Sequence, residues 1–144
     1  MKIKLASEYE VTRLIEKCPH TKNVICLGDN AYTLFATDEN ENIIAFLSAF
    51  YREIPAPLSG QTECFINIVE VIDPPLHRQG IGTALVQEAI KMAGSKGVMQ
   101  VRAYCDINNA ASHMLWLKNG FGISPVKMPD GSIPGSFVTY RIIS

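Results

Sequence analysis

Neither sign of charge dominates this sequence, and no cationic run occurs in it: 13 Lys and Arg stand against 14 Asp and Glu, for a net charge of -1. A protein that neutralises many phosphates carries a basic stripe, so nucleic acid is not expected as a partner. Long apolar runs are also missing. The stretch from Ile43 to Tyr51 falls far short of a bilayer span, and Met1 to Leu5 is too short and too interrupted for a signal peptide. The expectation is a cytoplasmic protein with no membrane partner. The four cysteines, Cys18, Cys26, Cys64 and Cys105, form no Cys-x-x-Cys pair and have no His at metal-ligand spacing. They read as reduced and mostly buried, and no metal is expected. The triplet Gly-Lys-Ser/Thr occurs nowhere, which removes a P-loop. No internal repeat or low-complexity tract is present.

What remains is ordinary globular composition, 47% hydrophobic and 19% charged over 144 residues, which suits one domain spanning residues 1–144. The chain is organised around Val71 to Leu85. Phe65 to Ile72 is almost wholly apolar or β-branched and reads as a strand; Pro74 and Pro75 stop it, and Ile81 opens a helix. Between them, Gly80 and Gly82 form an elbow where backbone lies open to a bulky neighbour. The first-turn N–H groups of such a helix have no carbonyl partners, and the dipole adds about half a positive charge. A diphosphate is the natural guest. A dinucleotide fingerprint is a weak reading, because its third small residue is replaced by Leu85.

The other elements follow from period and punctuation. Lys2 to Leu5 alternates as a strand. Ser7 caps a helix with Val11, Leu14, Ile15 and Cys18 on one face, and Pro19 ends it. Thr21 to Leu27 suggests a short second helix. Ala31 to Thr37 and Ile43 to Arg52 read as an antiparallel pair joined by a polar turn, and Glu53 to Gly60 as a loop. The helix from Ile81 carries Ile81, Leu85, Ala89 and Met92 on one face and stops at Gly94 and Gly97. Val98 to Cys105 is the next strand, Asn109 to Lys118 the next helix, and Phe121 to Val126 with Ser136 to Ile143 a last pair. This order predicts an α/β (α+β) fold, with a mixed, mostly antiparallel sheet of about six or seven strands and helices on both faces. The step from residue 65 to 105 is expected to be a right-handed parallel crossover.

Two motifs carry a resemblance. His77-Arg78-Gln79-Gly80-Ile81-Gly82, after Ile72-Asp73-Pro74, resembles the pyrophosphate loop Gln/Arg-x-x-Gly-x-Gly/Ala of the GNAT superfamily, the acyl-coenzyme A N-acyltransferases. Downstream, Asn109-Ala110-Ala111-Ser112-His113-Met114-Leu115-Trp116-Leu117-Lys118-Asn119-Gly120-Phe121 resembles that family's Asn-x-x-Ala-x-x-Leu-Tyr-x-Lys-x-Gly-Phe. The resemblance covers about residues 65 to 121.

It implies transfer of an acetyl group from acetyl-coenzyme A to an amine of a small molecule or protein, by a monomer or homodimer. The strands matching Phe65 to Ile72 and Val98 to Cys105 splay apart in the family, with the pantetheine arm between them. Its amides pair near Glu70, Val71 and Ile72. The diphosphate rests on Gln79, Gly80, Ile81, Gly82 and Thr83, with His77 and Arg78 beside it. Asn109 contacts the arm, and its type also suits a helix cap; the two roles are compatible. Arg78 otherwise reads as an exposed charge.

Glu70 is the first candidate base, against the plainer reading of a strand carboxylate in a salt bridge; Glu63, Asp73 and Asp106 follow it. Trp116 stands where many relatives carry a Tyr that protonates the departing thiolate, and indole has no transferable proton. Tyr104 and Cys105 are candidate donors in its place, and Trp116 itself reads as a packing anchor. The same departure keeps open an alternative, a non-catalytic acyl-coenzyme A sensor or interaction module. The expected acceptor-lining segments, around residues 19–30, 53–63 and 126–136, hold no acidic cluster that would mark a polycationic substrate.

Overall fold

The computed structural model describes residues 1–77 and 79–142. The chain runs β1 (Lys2–Leu5), α1 (Glu8–Lys17), a 3-10 turn at Pro19–Thr21, β2 (Ala31–Thr37), β3 (Ile43–Glu53) and β4 (Thr62–Val71). A second 3-10 turn at Pro74–Leu76 leads to α2 (Ile81–Lys96), β5 (Gln100–Asp106), α3 (Ala110–Lys118), β6 (Gly122–Val126) and β7 (Gly135–Arg141). The strands form one seven-stranded sheet in the order β1-β2-β3-β4-β5-β7-β6. Only the β4/β5 pair is parallel; every other neighbour is antiparallel. Pro125 sits in β6, an edge strand, where a missing N–H costs least.

Alternation along β2 assigns the faces. Leu34 and Ala36 join a large core with Ile81, Leu85, Val86 and Ala89 of α2 and Trp116 of α3, while Phe35 joins a smaller one with Leu14 and Cys18 of the α1 segment. Helices therefore cover both faces. The longest helix, α2, spans β2 to β5 with a side made of Leu85, Val86, Ala89 and Ala93, none of them accessible to solvent.

Two expectations are corrected. Gly94 lies inside α2, and the stop is Gly97, whose φ of +79° supplies the left-handed residue that ends a helix. No helix forms over Thr21 to Leu27. After the turn at Pro19–Thr21 one further turn, with Val24 and Ile25 N–H on Thr21 O, passes into an irregular strap held by sheet side chains: Asn67 Nδ2 donates to Val24 O at 2.9 Å and Thr33 Oγ1 to Cys26 O at 2.8 Å. A segment so short does not nucleate a helix when the sheet supplies its bonds. None of the helices among the described residues is long and apolar enough to cross a membrane.

Candidate functional site

The site begins where β4 and β5 part. Their parallel pairing runs from Glu63 opposite Gln100 to Ile66 opposite Ala103 and ends there. At the same place the register with β3 shifts: Ile66 faces Ala49 and Ile68 faces Ser48, so Asn67 is the extra residue of a bulge. Beyond it, β4 keeps only its β3 partner and β5 only β7, which leaves a cleft between them.

Antiparallel pairs alternate in the direction of their main-chain groups. Ile72 N–H donates to Ile44 O at 2.9 Å, so Ile72 and Glu70 turn these groups toward β3, while Val69 and Val71 turn theirs toward the cleft. Of the three strand residues expected to pair with a pantetheine arm, Val71 faces the cleft, and Glu70 and Ile72 do not. The Val71 carbonyl already has a partner, His77 Nε2 at 3.0 Å, which fixes that nitrogen as the protonated one. His77 is thus folded back onto the strand as a brace for the loop. Gln79 closes the same loop by donating from Nε2 to Pro75 O at 3.1 Å. Arg78 lies outside the described residues.

Gly80 is the N-cap of α2 and has a φ of +79°, a conformation that favours glycine. A Cβ there would meet nothing within 4 Å, so it faces open space. Gly82 differs from expectation: its Cβ would lie 3.6 Å from Leu115 Cδ1, so it faces α3 rather than the elbow. The first helical bond runs from Ala84 N–H to Gly80 O at 3.0 Å. The N–H groups of Ile81, Gly82 and Thr83 have no carbonyl or side-chain partner among the described residues. The first turn holds no acidic residue either. The other two helices are served: the Glu10 carboxylate accepts from both Ser7 N–H and the Ser7 hydroxyl, and Asn109 Oδ1 accepts from Ser112 N–H at 3.0 Å. Asn109 accordingly caps α3, and it leaves its Nδ2 donor turned to an exposed surface.

Glu70 stands on β4 beyond the bulge, on the α1 side of the sheet with Ile68 and Ile72. Its Oε1 is 2.8 Å from Nε2 of His20, a residue the sequence reading passed over. His20 follows Pro19 in a stretch without a motif, and its partner lies 50 positions away, so nothing local announces it. Tyr104 occupies the same sheet face on β5, since Ala103 and Cys105 belong to the α2 core. Its ring meets Phe137 edge-on at 5.5 Å, and a Cβ on Gly135 would overlap its hydroxyl. No hydrogen bond joins it to Glu70.

Three further candidates are placed by their contacts. Trp116 is 2% exposed, donates Nε1–H to Ser112 Oγ at 2.9 Å and stacks on Phe121, so it is the packing anchor. Cys105 is buried, with Sγ 3.3 Å from His113 Nδ1, a nitrogen also 2.9 Å from Asn109 O. Glu63 is wholly buried: Oε2 accepts from Arg52 Nε and Arg102 Nη2, and Oε1 from Gln100 Nε2, each at 2.8 Å. Burial pushes its carboxyl up, but the bonds from Arg102, Gln100 and Arg52 outweigh burial and hold it below the usual range. Glu63 is therefore a structural anion, both of its oxygens engaged by neighbouring side chains.

Two surface hollows of about 310 and 230 Å³ lie elsewhere, one at Arg13, Lys17 and Asn42 and the other at Asn30, Tyr51 and Lys96. The site is defined by parted strands and an open helix end, not by a closed cavity.

Solved structures share this architecture. An Arabidopsis thaliana protein, NAA60 in complex with acetyl-CoA, superposes with a TM-score of 0.75 at 15% identity, over 98% of each chain. The ribosomal-protein-S18-alanine N-acetyltransferase of Escherichia coli gives 0.71 at 17% identity, over 98% of this chain and 93% of that one. Naa20 of Chaetomium thermophilum gives 0.75 at 14% identity, over 99% and 87%. At such identities the likeness shows the fold. No curated protein sequence matches the chain. The sequence profile of the acetyltransferase (GNAT) family matches residues 4–121, most of the chain, and the chain belongs to that family.

Proposed function

We propose that this acyltransferase moves an acetyl group from acetyl-coenzyme A to a primary amine of a small molecule or a protein, by direct attack with both substrates bound. One observation carries the reading: the unpartnered N-terminus of α2 opens where β4 and β5 have parted. Its N–H groups and dipole suit a diphosphate. The cleft-facing main-chain groups of Val69 and the N–H of Val71 suit the amides of a pantetheine arm, and Asn109 Nδ2, without a partner among the described residues, is a further donor at the start of α3. The NAA60 structure with acetyl-CoA supports the donor, and the protein-alanine acetyltransferase supports a protein amine as one acceptor class.

Holding amine and thioester together supplies much of the acceleration, with backbone N–H groups polarising the carbonyl. An alkyl ammonium with a pKa near 10.4 must lose a proton before attack, and Glu70 marks where on β4 that proton is handled. Trp116 cannot protonate the leaving sulfur. Tyr104 is the phenol on the diverged stretch of β5, and a thiol of pKa near 8.5 also leaves without help.

Thermal stability with acetyl-coenzyme A, desulfo-coenzyme A, ATP and NAD at matched concentrations tests the donor. A ligand at about 100 times its Kd adds roughly 2.7 kcal/mol. We expect a shift confined to the two coenzyme A compounds. Equal shifts with ATP or NAD, or none with coenzyme A, would overturn the reading.

A further inference from the structure

Three features of His20 and Glu70 stand apart from the donor site. The 3-10 turn at Pro19–Thr21 is pinned to the end of α1 by Thr21 Oγ1, which donates to Cys18 O at 2.6 Å, so its imidazole is held over β4 by covalent and hydrogen-bonded restraint. His20 Nε2 meets Glu70 Oε1 at 2.8 Å, and an ionised carboxylate only accepts, so Nε2 carries a proton and, in the neutral ring, Nδ1 keeps its lone pair. The His20 side chain is 59% exposed and the Glu70 side chain 29%, so the pair lies open to solvent on the α1 face. Glu70 directly precedes Val71, whose main chain faces the cleft, and lies three positions past the bulge residue Asn67.

Resting on the acetyltransferase reading above, we infer that His20 takes the proton of the acceptor amine and that Glu70 is its positioning residue, fixing the tautomer that keeps Nδ1 free. The acceptor ammonium gives one proton to Nδ1. The neutral nitrogen adds to the thioester carbonyl carbon, the new C–N bond forms as the C–S bond breaks, and the electron pair leaves on sulfur. The second nitrogen proton passes to that thiolate, and the imidazolium returns the first to water. Glu70 holds the imidazolium by charge while it exists.

The groups that face the pair leave it this role. Phe46 lies opposite Glu70 on β3, and Ile68 and Ile72 flank it on β4. Lys17 of α1 directs its ammonium to Ile43 O at 3.1 Å. Cys18, at the start of the turn, has its thiol pushed up by burial first and by Glu70 second, so it stays protonated and uncharged beside the dyad. Lys22, the next cation along the turn, is exposed.

The test follows thiol release from acetyl-coenzyme A with a panel of primary amines, amino acids and short peptides, using wild type, His20→Gln and Glu70→Gln. Thermal shifts with acetyl-coenzyme A are run on all three. We expect the shifts to be unchanged, which separates this inference from the donor reading. For the best acceptor, His20→Gln lowers kcat/KM by at least about 100-fold and removes the acidic limb of its pH profile. Glu70→Gln lowers kcat by roughly tenfold with little change in KM, as expected of a residue that positions the base and does not bind substrate. A purely structural pair would lower rates without moving the limb, and that result overturns the inference. So does wild-type turnover by His20→Gln, and so does acetyl-coenzyme A binding with no amine in the panel acetylated.

Discussion

The two ends of the β4/β5 pair are built on opposite principles. At the closed end, Glu63 to Ile66 pairs with Gln100 to Ala103, and a buried carboxylate gathers Arg52, Arg102 and Gln100 across three strands. The guanidinium of Arg52 also lies 4.3 Å from the Phe65 ring, and that of Arg102 lies 4.7 Å from Phe137. At the open end, from Asn67 onward, β4 loses β5 and faces a helix whose first N–H groups have no partner among the described residues. The closed end is fully committed to its own stability. The open end leaves hydrogen-bonding capacity unspent within the chain, and that capacity is what a ligand can use. One pair of strands is thereby joined at one end and parted at the other.

The largest expected effect lies at the closed end. Glu63→Gln leaves two guanidiniums facing a neutral amide, and Arg102 Nε is already buried without a partner. Breaking such a pair costs about 3 kcal/mol, the lower part of the usual range, because Arg52 can turn to water. The melting temperature should drop by roughly 10 °C, while affinity for acetyl-coenzyme A changes less than about threefold. The pH dependence has a definite sign. The folded carboxyl of Glu63 is depressed below its unfolded value near 4.3, so its contribution is complete above that value and is lost as pH falls through the folded one. Subtracting the stability curve of the variant from that of wild type should give a difference that is flat at neutral pH and shrinks in acid. A difference that grows in acid would contradict the ion cluster.

Gly80→Asp probes the open end with the reverse expectation. The left-handed backbone tolerates Asp better than most residues, and a carboxylate at the α2 N-cap supplies the anion that the helix lacks. Strain and capping offset, so stability should stay within about 1 kcal/mol of wild type. Affinity for acetyl-coenzyme A should fall at least about 30-fold, roughly 2 kcal/mol. An isothermal titration showing wild-type affinity would remove the diphosphate from this elbow. Together the two variants sort stability to one end and binding to the other.

The sequence made this contrast only half visible. β2, β3, α2 and α3 were legible to within a few residues because their apolar period is regular and Pro, Asn and Gly punctuate their ends. The elbow was legible because Pro74, Pro75 and Gly80 fall within one short stretch between a strand and a helix. Glu63 was not: it reads as a lesser candidate base, and the three partners that make it a structural anion lie 11, 37 and 39 positions away. His20 was passed over for the same reason, and Thr21 to Leu27, the strap that follows its turn, was read as a short helix because the sheet side chains that hold it lie far away in sequence. Charge pairs across a sheet leave no periodic trace in one strand. A brace such as His77 on Val71 O, which looks like a motif position turned outward, is equally invisible until the strand direction is known.

The smallest effect tests whether one side chain at the start of α3 combines two roles, helix cap and ligand donor. Asn109 Oδ1 caps α3 through Ser112 N–H, and its Nδ2 faces outward. Asn109→Ala removes both and should cost about 1 kcal/mol of stability. Asn109→Asp keeps the acceptor oxygen and adds favourable charge at a helix N-terminus, so stability should match or slightly exceed that of wild type. The donor is lost in both. If Nδ2 meets the acetyl-coenzyme A arm, both variants should bind it about three- to tenfold more weakly, the usual worth of one hydrogen bond. Titrations and melting curves on the pair decide the matter. Wild-type affinity in Asn109→Asp would make Asn109 a cap alone, and the open end of the sheet would then hold its ligand through β4 and α2 without help from α3.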